Sequence, residues 1–115
     1  MVIFIAAAQC RYCDAMKDIT WQNHSIENRV TSEFVAVQLT PERNARELCR
    51  IDVKLYPMTI VAVPQGKVID HRDGFQTPKL LHDLLNRALA RHRFRVWTFF
   101  AAGFVGEPLV VWQRH

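Results

Sequence analysis

Two cysteines three positions apart, in Cys10-Arg11-Tyr12-Cys13, are the residues of this 115-residue chain best suited to do chemistry. An unbroken apolar run at residues 2–8 leads into them, and helical spacing follows, with Met16 and Ile19 three apart. The pair therefore falls where a buried strand ends and a helix begins. A thiol at a helix N-terminus faces unpaired N–H groups and the positive end of the macrodipole, and both favour the thiolate. One turn of helix brings the second sulfur within bonding reach, so Cys10 is expected to attack a partner's disulfide and Cys13 to resolve the product. Arg11 adds positive charge beside the nucleophile. A thiolate pair also suits zinc or copper(I), which keeps a soft-metal-binding protein as an alternative. A full zinc site wants four ligands, commonly with a second close pair. His24, His71, His82 and Cys49 show no such spacing, so the redox reading is preferred and neither metal nor cofactor is expected.

The elements that must position this pair can be read along the chain. After the first strand and a helical stretch at residues 11–22, Ser25 offers a cap for a second helical stripe carrying Ile26 and Val30. Residues 34–39 are rich in β-formers and read as a second strand. Thr40-Pro41 is a cap-and-proline helix start, with a short helix expected over residues 42–50. Residues 58–63 make a third strand, Pro64-Gln65-Gly66-Lys67 a turn, and residues 68–72 a fourth strand closing a hairpin. Thr77-Pro78 repeats the helix-start signal. Leu80, Leu81, Leu84, Leu85, Ala88 and Leu89 then line one face of a last helix reaching about residue 93. The order is β-α-β-α-β-β-α, an α/β domain with a four-stranded mixed sheet flanked by helices. Two helical crossovers predict that the first three strands are parallel, with an antiparallel strand from the hairpin at the edge. Copper-carrier domains also place Cys-x-x-Cys after a first strand, but their βαββαβ order does not fit the second helix here.

Pro57 stands at the entrance of the third strand, where a missing N–H is costly unless it serves a purpose. With it, the chain resembles the thioredoxin-like proteins that carry a long, interrupted helix after Cys-x-x-Cys. The matching residues are Cys10-Arg11-Tyr12-Cys13, the second helical piece at residues 25–30, Glu33-Phe34-Val35, Tyr56-Pro57-Met58-Thr59, Pro64-Gln65-Gly66-Lys67 and Asp73-Gly74-Phe75, spanning roughly residues 1–90 in order. The resemblance implies a thiol–disulfide oxidoreductase acting on protein thiols or disulfides, together with a redox partner that the sequence does not name. It further implies that Tyr56-Pro57 is a cis bond facing the disulfide, that its neighbours pair with a substrate backbone, and that Tyr56 helps set selectivity. Tyr12, exposed between the cysteines in this architecture, would touch a partner. Three departures stand out. Gln9 replaces the tryptophan that thioredoxins carry before the first cysteine, Phe4 replaces their buried aspartate, and their leading strand and helix are absent. A non-catalytic module that grips extended peptides at Pro57 is the rival these losses raise. Cys49 is expected to be a small buried residue, Trp21 to pack, and His71 and His82 to be solvated.

Fifteen Lys and Arg against eleven Asp and Glu give a net charge of +4, with an apolar fraction of 50%. The whole excess lies after residue 86, so the main body has no electrostatic footprint for nucleic acid. There is no carboxylate pair, Ser/His/Asp set or phosphate-binding glycine loop to support hydrolase or nucleotide chemistry. The apolar run at residues 1–8 lacks a basic flank and does not read as a secretory signal. As given, the chain reads as cytoplasmic, with an extracytoplasmic location as the alternative if an upstream segment is missing. Residues 1–93 make the domain, and residues 94–115 an apolar extension rich in Trp and Phe. Only 17 residues separate Arg95 from Gln113, at the short limit for a membrane span, so membrane association is not favoured. Instead, residues 94–106 are expected to continue as helix, and residues 94–112 to bury their aromatics on the domain or in a homodimer.

Overall fold

The computed structural model describes residues 1–92 and the backbone of Glu107–Pro108. Its elements are β1 (Val2–Ile5), α1 (Arg11–Met16), a π-helical stretch (Lys17–Trp21), α2 (His24–Glu33), β2 (Ala36–Leu39), α3 (Ala45–Leu48), β3 (Met58–Ala62), β4 (Val68–Asp73), α4 (Pro78–His92) and β5 (Glu107–Pro108). The sheet order is β4-β3-β1-β2-β5, so the four expected strands form a mixed sheet to which a two-residue strand is added. β1 is central and wholly buried, which is why its sequence is apolar without alternation.

β1 and β2 run parallel, with Ile5 opposite Leu39, but β3 runs antiparallel to β1, with Ile5 opposite Met58. The expectation of three parallel strands is therefore corrected. Its cause is the length of the second connection's helix. A parallel return must carry the chain back along the full strand length, whereas α3 has four residues and rises only about 6 Å. The chain leaves β2 and re-enters as β3 at the same end of the sheet. The anticipated helix at residues 42–50 shrinks because Thr40 and Asn44 close a turn on each other: Asn44 N–H donates to the Thr40 carbonyl at 2.7 Å, and Thr40 N–H to Asn44 Oδ1 at 3.1 Å. Cys49 then sits at the C-cap of a short surface helix and is exposed, contrary to the buried position expected for it.

One face of the sheet presents Val2, Phe4, Ala36 and Val61 to α1, the π-helical stretch, α2 and α4, which contribute Cys13, Met16, Trp21, Ile26, Leu81, Leu84 and Leu85. Trp21 packs edge-on against Phe4, with ring centroids 5.4 Å apart. The other face carries Met1, Ile3, Ile5, Val37, Leu39, Ile60 and Ala62, against which Leu48, Ile51, Val53 and Tyr56 pack. α2 is capped by Asn23, whose Oδ1 accepts from Ser25 N–H at 3.0 Å and Ile26 N–H at 3.2 Å, so the cap lies two residues before the expected Ser25. Ser25 instead meets His82 Nε2 at 2.9 Å, while Arg29 donates to His82 Nδ1 at 3.1 Å; His82 is half-buried and bonded rather than solvated. The Thr77 start of α4 is as expected, its Oγ1 accepting from Leu80 N–H at 3.2 Å. Arg87 ties α4 to β4 by a 2.8 Å hydrogen bond to Asp70. Partial burial raises the Asp70 pKa, but the Arg87 hydrogen bond, the His71 N–H and the charges of Arg87 and Arg91 outweigh this and hold it below its ordinary value.

The helix expected at residues 94–106 and the aromatic burial expected at residues 94–112 fall almost wholly outside the described residues. What is described is β5, which pairs antiparallel with β2, Val37 opposite Pro108 and Gln38 opposite Glu107. It covers the outer edge of a strand that would otherwise offer a row of unpaired amides beside buried apolar side chains. Truncation after residue 93 should therefore lower the melting temperature by about 5 °C and promote self-association, seen by light scattering. A truncated chain that stays monomeric and equally stable would show the edge strand to be dispensable.

Candidate active site

Three segments meet at the end of the sheet where β1 and β2 finish and β3 begins. The first is the turn after β1. Ala6 N–H still extends the ladder to the Leu39 carbonyl at 3.1 Å, Ala8 N–H donates to Glu42 Oε1 at 3.1 Å, and Gln9 adopts a positive φ of 55°. That left-handed residue turns the chain sharply just before Cys10, a conformation uncommon outside glycine and asparagine.

Cys10 is the N-cap of α1, in extended conformation, and Cys13 N–H donates to its Sγ at 3.1 Å. The two cysteines are joined as a disulfide, with Cα atoms 5.1 Å apart. Their environments differ: Cys10 is half-buried at the surface, whereas Cys13 is 0% exposed within the core beside Met16. This asymmetry follows from helix geometry, since the N-cap lies at the rim and the residue one turn on faces the sheet. Arg11 and Tyr12 are both exposed, Tyr12 at 60%.

The second segment enters β3. The Tyr56–Pro57 bond is cis, and Pro57 is buried while Tyr56 is half-buried against the same core cluster as Cys10. The pairing of Ile5 with Met58 sets Pro57 at the sheet end from which the chain departs toward Cys10. The third segment joins β4 to α4. Gly74, at φ 84°, donates its N–H to the Pro57 carbonyl at 2.6 Å, and a Cβ at Gly74 would come within 3.5 Å of the Leu55 side chain.

A family model of a thioredoxin-like domain matches residues 1–89. The chain belongs to the thioredoxin-like domain family. Among solved structures it is similar to a thioredoxin from Thermus thermophilus, with a TM-score of 0.64 and 14% identity, covering 83% of each chain. At that identity the likeness speaks for the fold. No curated protein matches the chain.

In this thioredoxin-like domain the residues singled out from sequence occupy one end of the sheet: Cys10, Arg11, Tyr12 and Cys13 on one side, Tyr56 and Pro57 on the other. Cys49 is not tied to them by any described contact; its Sγ donates to the Arg46 carbonyl at 2.9 Å. Sequence reasoning missed Glu42, which braces the turn before Cys10, and Thr20 and Gln76, buried polar residues on neighbouring elements. Only Glu42 carried a signal, as a charge directly after Thr40-Pro41. Among the described residues no group of three or more His, Cys, Asp or Glu is arranged to hold a metal ion. Nor is any described helix long and apolar enough to cross a membrane.

Proposed function

We propose that the domain is a thiol–disulfide oxidoreductase in which Cys10 attacks and Cys13 resolves. The observation that supports this best is the contrast between a half-exposed N-cap sulfur, receiving the Cys13 N–H, and a buried partner sulfur bonded to it. In the reduced protein the same N–H and the helix end favour a Cys10 thiolate. That thiolate attacks one sulfur of a substrate disulfide; the substrate S–S bond breaks, a mixed disulfide forms, and one substrate thiolate leaves. The Cys13 thiolate then attacks Cys10 Sγ, releasing the second substrate thiolate and closing the Cys10–Cys13 bond. Two electrons pass from the dithiol to the substrate, and the reverse sequence oxidises a substrate dithiol. Arg11 supports the thiolate, Tyr12 meets the partner, and the backbone around Tyr56 and Pro57 holds an extended substrate chain.

The rival is a non-catalytic module with the same fold that only grips peptides, favoured by the apolar Phe4 below the dithiol in place of an acid. A measured reduction potential separates the two. The oxidoreductase reading expects a value within the span of known thiol–disulfide exchangers, about −270 to −120 mV, and exchange with glutathione well above the rate of a free dithiol. A dithiol inert to glutathione would favour the peptide-binding module. Tight, stoichiometric binding of zinc or copper(I) by the reduced chain would favour a metal carrier.

A further inference from the structure

Thr20 and Gln76 are buried polar residues 56 positions apart, 0% and 6% exposed, and neither takes part in the exchange chemistry proposed above. Burying a hydroxyl or an amide is costly unless it is hydrogen-bonded, so their bonds show what they hold in place. Thr20 lies in the π-helical stretch that continues the dithiol helix, and its Oγ1 donates to the Gln76 carbonyl. Gln76 Nε2 donates to the Asp73 carbonyl at 3.2 Å and the Gly74 carbonyl at 3.3 Å. Gly74 N–H donates to the Pro57 carbonyl. Hydrogen bonds joined through Gln76 and the Asp73–Gly74 peptide thus link the helix that carries Cys10 and Cys13 to the peptide group at the entrance of β3.

The wide turn has a role in this. A π-type turn inserts an extra residue into a helix and re-aims the side chains that follow, and such turns are frequent at functional sites. Here Thr20, the residue before its end, reaches across to the β4–α4 connection and binds the Gln76 carbonyl. That connection also lies under Leu55, whose side chain stands over Gly74 and is 53% exposed. If the connection shifts, Leu55 and Pro57 shift with it.

We propose that Thr20 and Gln76 are positioning residues: they fix the strand-entry segment at residues 55–57 against the dithiol helix, so that an extended peptide disulfide is held there while its sulfur faces Cys10. The proposal rests on the oxidoreductase reading and adds a preference for peptide disulfides over small ones. It is tested in the full chain carrying Cys49→Ser, so that the exposed thiol does not react with either substrate, with Thr20→Val, which keeps the shape and removes the hydroxyl, and Thr20→Ser, which keeps the hydroxyl. Two substrates are compared, a disulfide-linked extended peptide and 5,5′-dithiobis(2-nitrobenzoate), together with amide exchange at Gly74 N–H. Thr20→Val should slow the peptide reaction about tenfold through KM, leave the small disulfide within about twofold, and speed exchange at Gly74 about tenfold. Thr20→Ser should restore all three. Equal losses on both substrates would reduce Thr20 to a structural residue and overturn the proposal. So would Gly74 exchange unchanged in Thr20→Val, whatever the turnover. A Cys49→Ser chain with Thr20 intact that is inert to both substrates would instead count against the oxidoreductase reading, leaving the Gly74 measurement to decide the hydrogen-bonded link.

Discussion

Cys13→Ser should accumulate a covalent mixed disulfide between Cys10 and a thiol partner, while Cys10→Ser accumulates none and loses exchange activity by about a thousandfold or more. The asymmetry follows from the burial of the two sulfurs. Cys10 sits half-exposed at the helix cap, where a partner's disulfide can approach, and Cys13 is closed off by the core. Removing the resolving thiol leaves the first step intact and blocks the second, so the intermediate persists. Removing the attacking thiol leaves a buried sulfur that no large substrate can reach. Non-reducing electrophoresis of each variant in a Cys49→Ser background, which removes the exposed third thiol, incubated with a disulfide-linked peptide, reads the difference. Equal trapping by both variants would sink the assignment of roles.

The largest expected effect on stability comes from Trp21. Its ring is 1% exposed and meets Phe4, itself 0% exposed, in a tilted edge contact with 61° between planes. Such aromatic pairs add to the burial of the rings themselves. Trp21→Ala should therefore cost about 3–5 kcal/mol, the range for an aromatic truncated in a core that cannot collapse around the void. That is a large share of the roughly 5–15 kcal/mol by which a domain of this size is stable. The melting temperature should fall by more than about 10 °C, with the midpoint of urea unfolding moving in step. A loss under about 1 kcal/mol would mean that Trp21 is not part of the closed core. Trp21 lies at the end of the π-helical stretch, so its replacement should also loosen the helix that carries the dithiol.

Much of this was legible along the chain. The apolar run of β1, the hairpin of β3 and β4, the Thr77 start of α4 and the junction carrying Cys10 and Cys13 each have a local cause that the residues display. The direction of β3 does not. It depends on which end of the sheet the chain re-enters, and that was decided by the closed Thr40–Asn44 turn and the shortness of α3. The exposure of Cys49 has the same cause, since a nine-residue helix would give it an inward face and a four-residue one leaves it at the tip. The α2 cap was ambiguous because Asn23 and Ser25 are near-equal in preference and two residues apart. Within the site, Cys-x-x-Cys and Pro57 announced themselves by residue type. Thr20 and Gln76 could not, because an ordinary threonine and an ordinary glutamine gain meaning only from a contact made across the fold.

The exposed Cys49 has a practical consequence for anyone handling the protein. On ageing in air, two chains can join through their Cys49 thiols and run as a covalent dimer on a gel. Such a species would mimic association through the C-terminal extension and would also add a spurious band to any search for trapped substrates. Counting reactive thiols makes the same residue useful: the oxidised chain offers Cys49 alone, and each further thiol titrated reports an opened Cys10–Cys13 bond. Work on this protein is therefore best done in a Cys49→Ser background, with the natural chain kept as the internal standard for the thiol count.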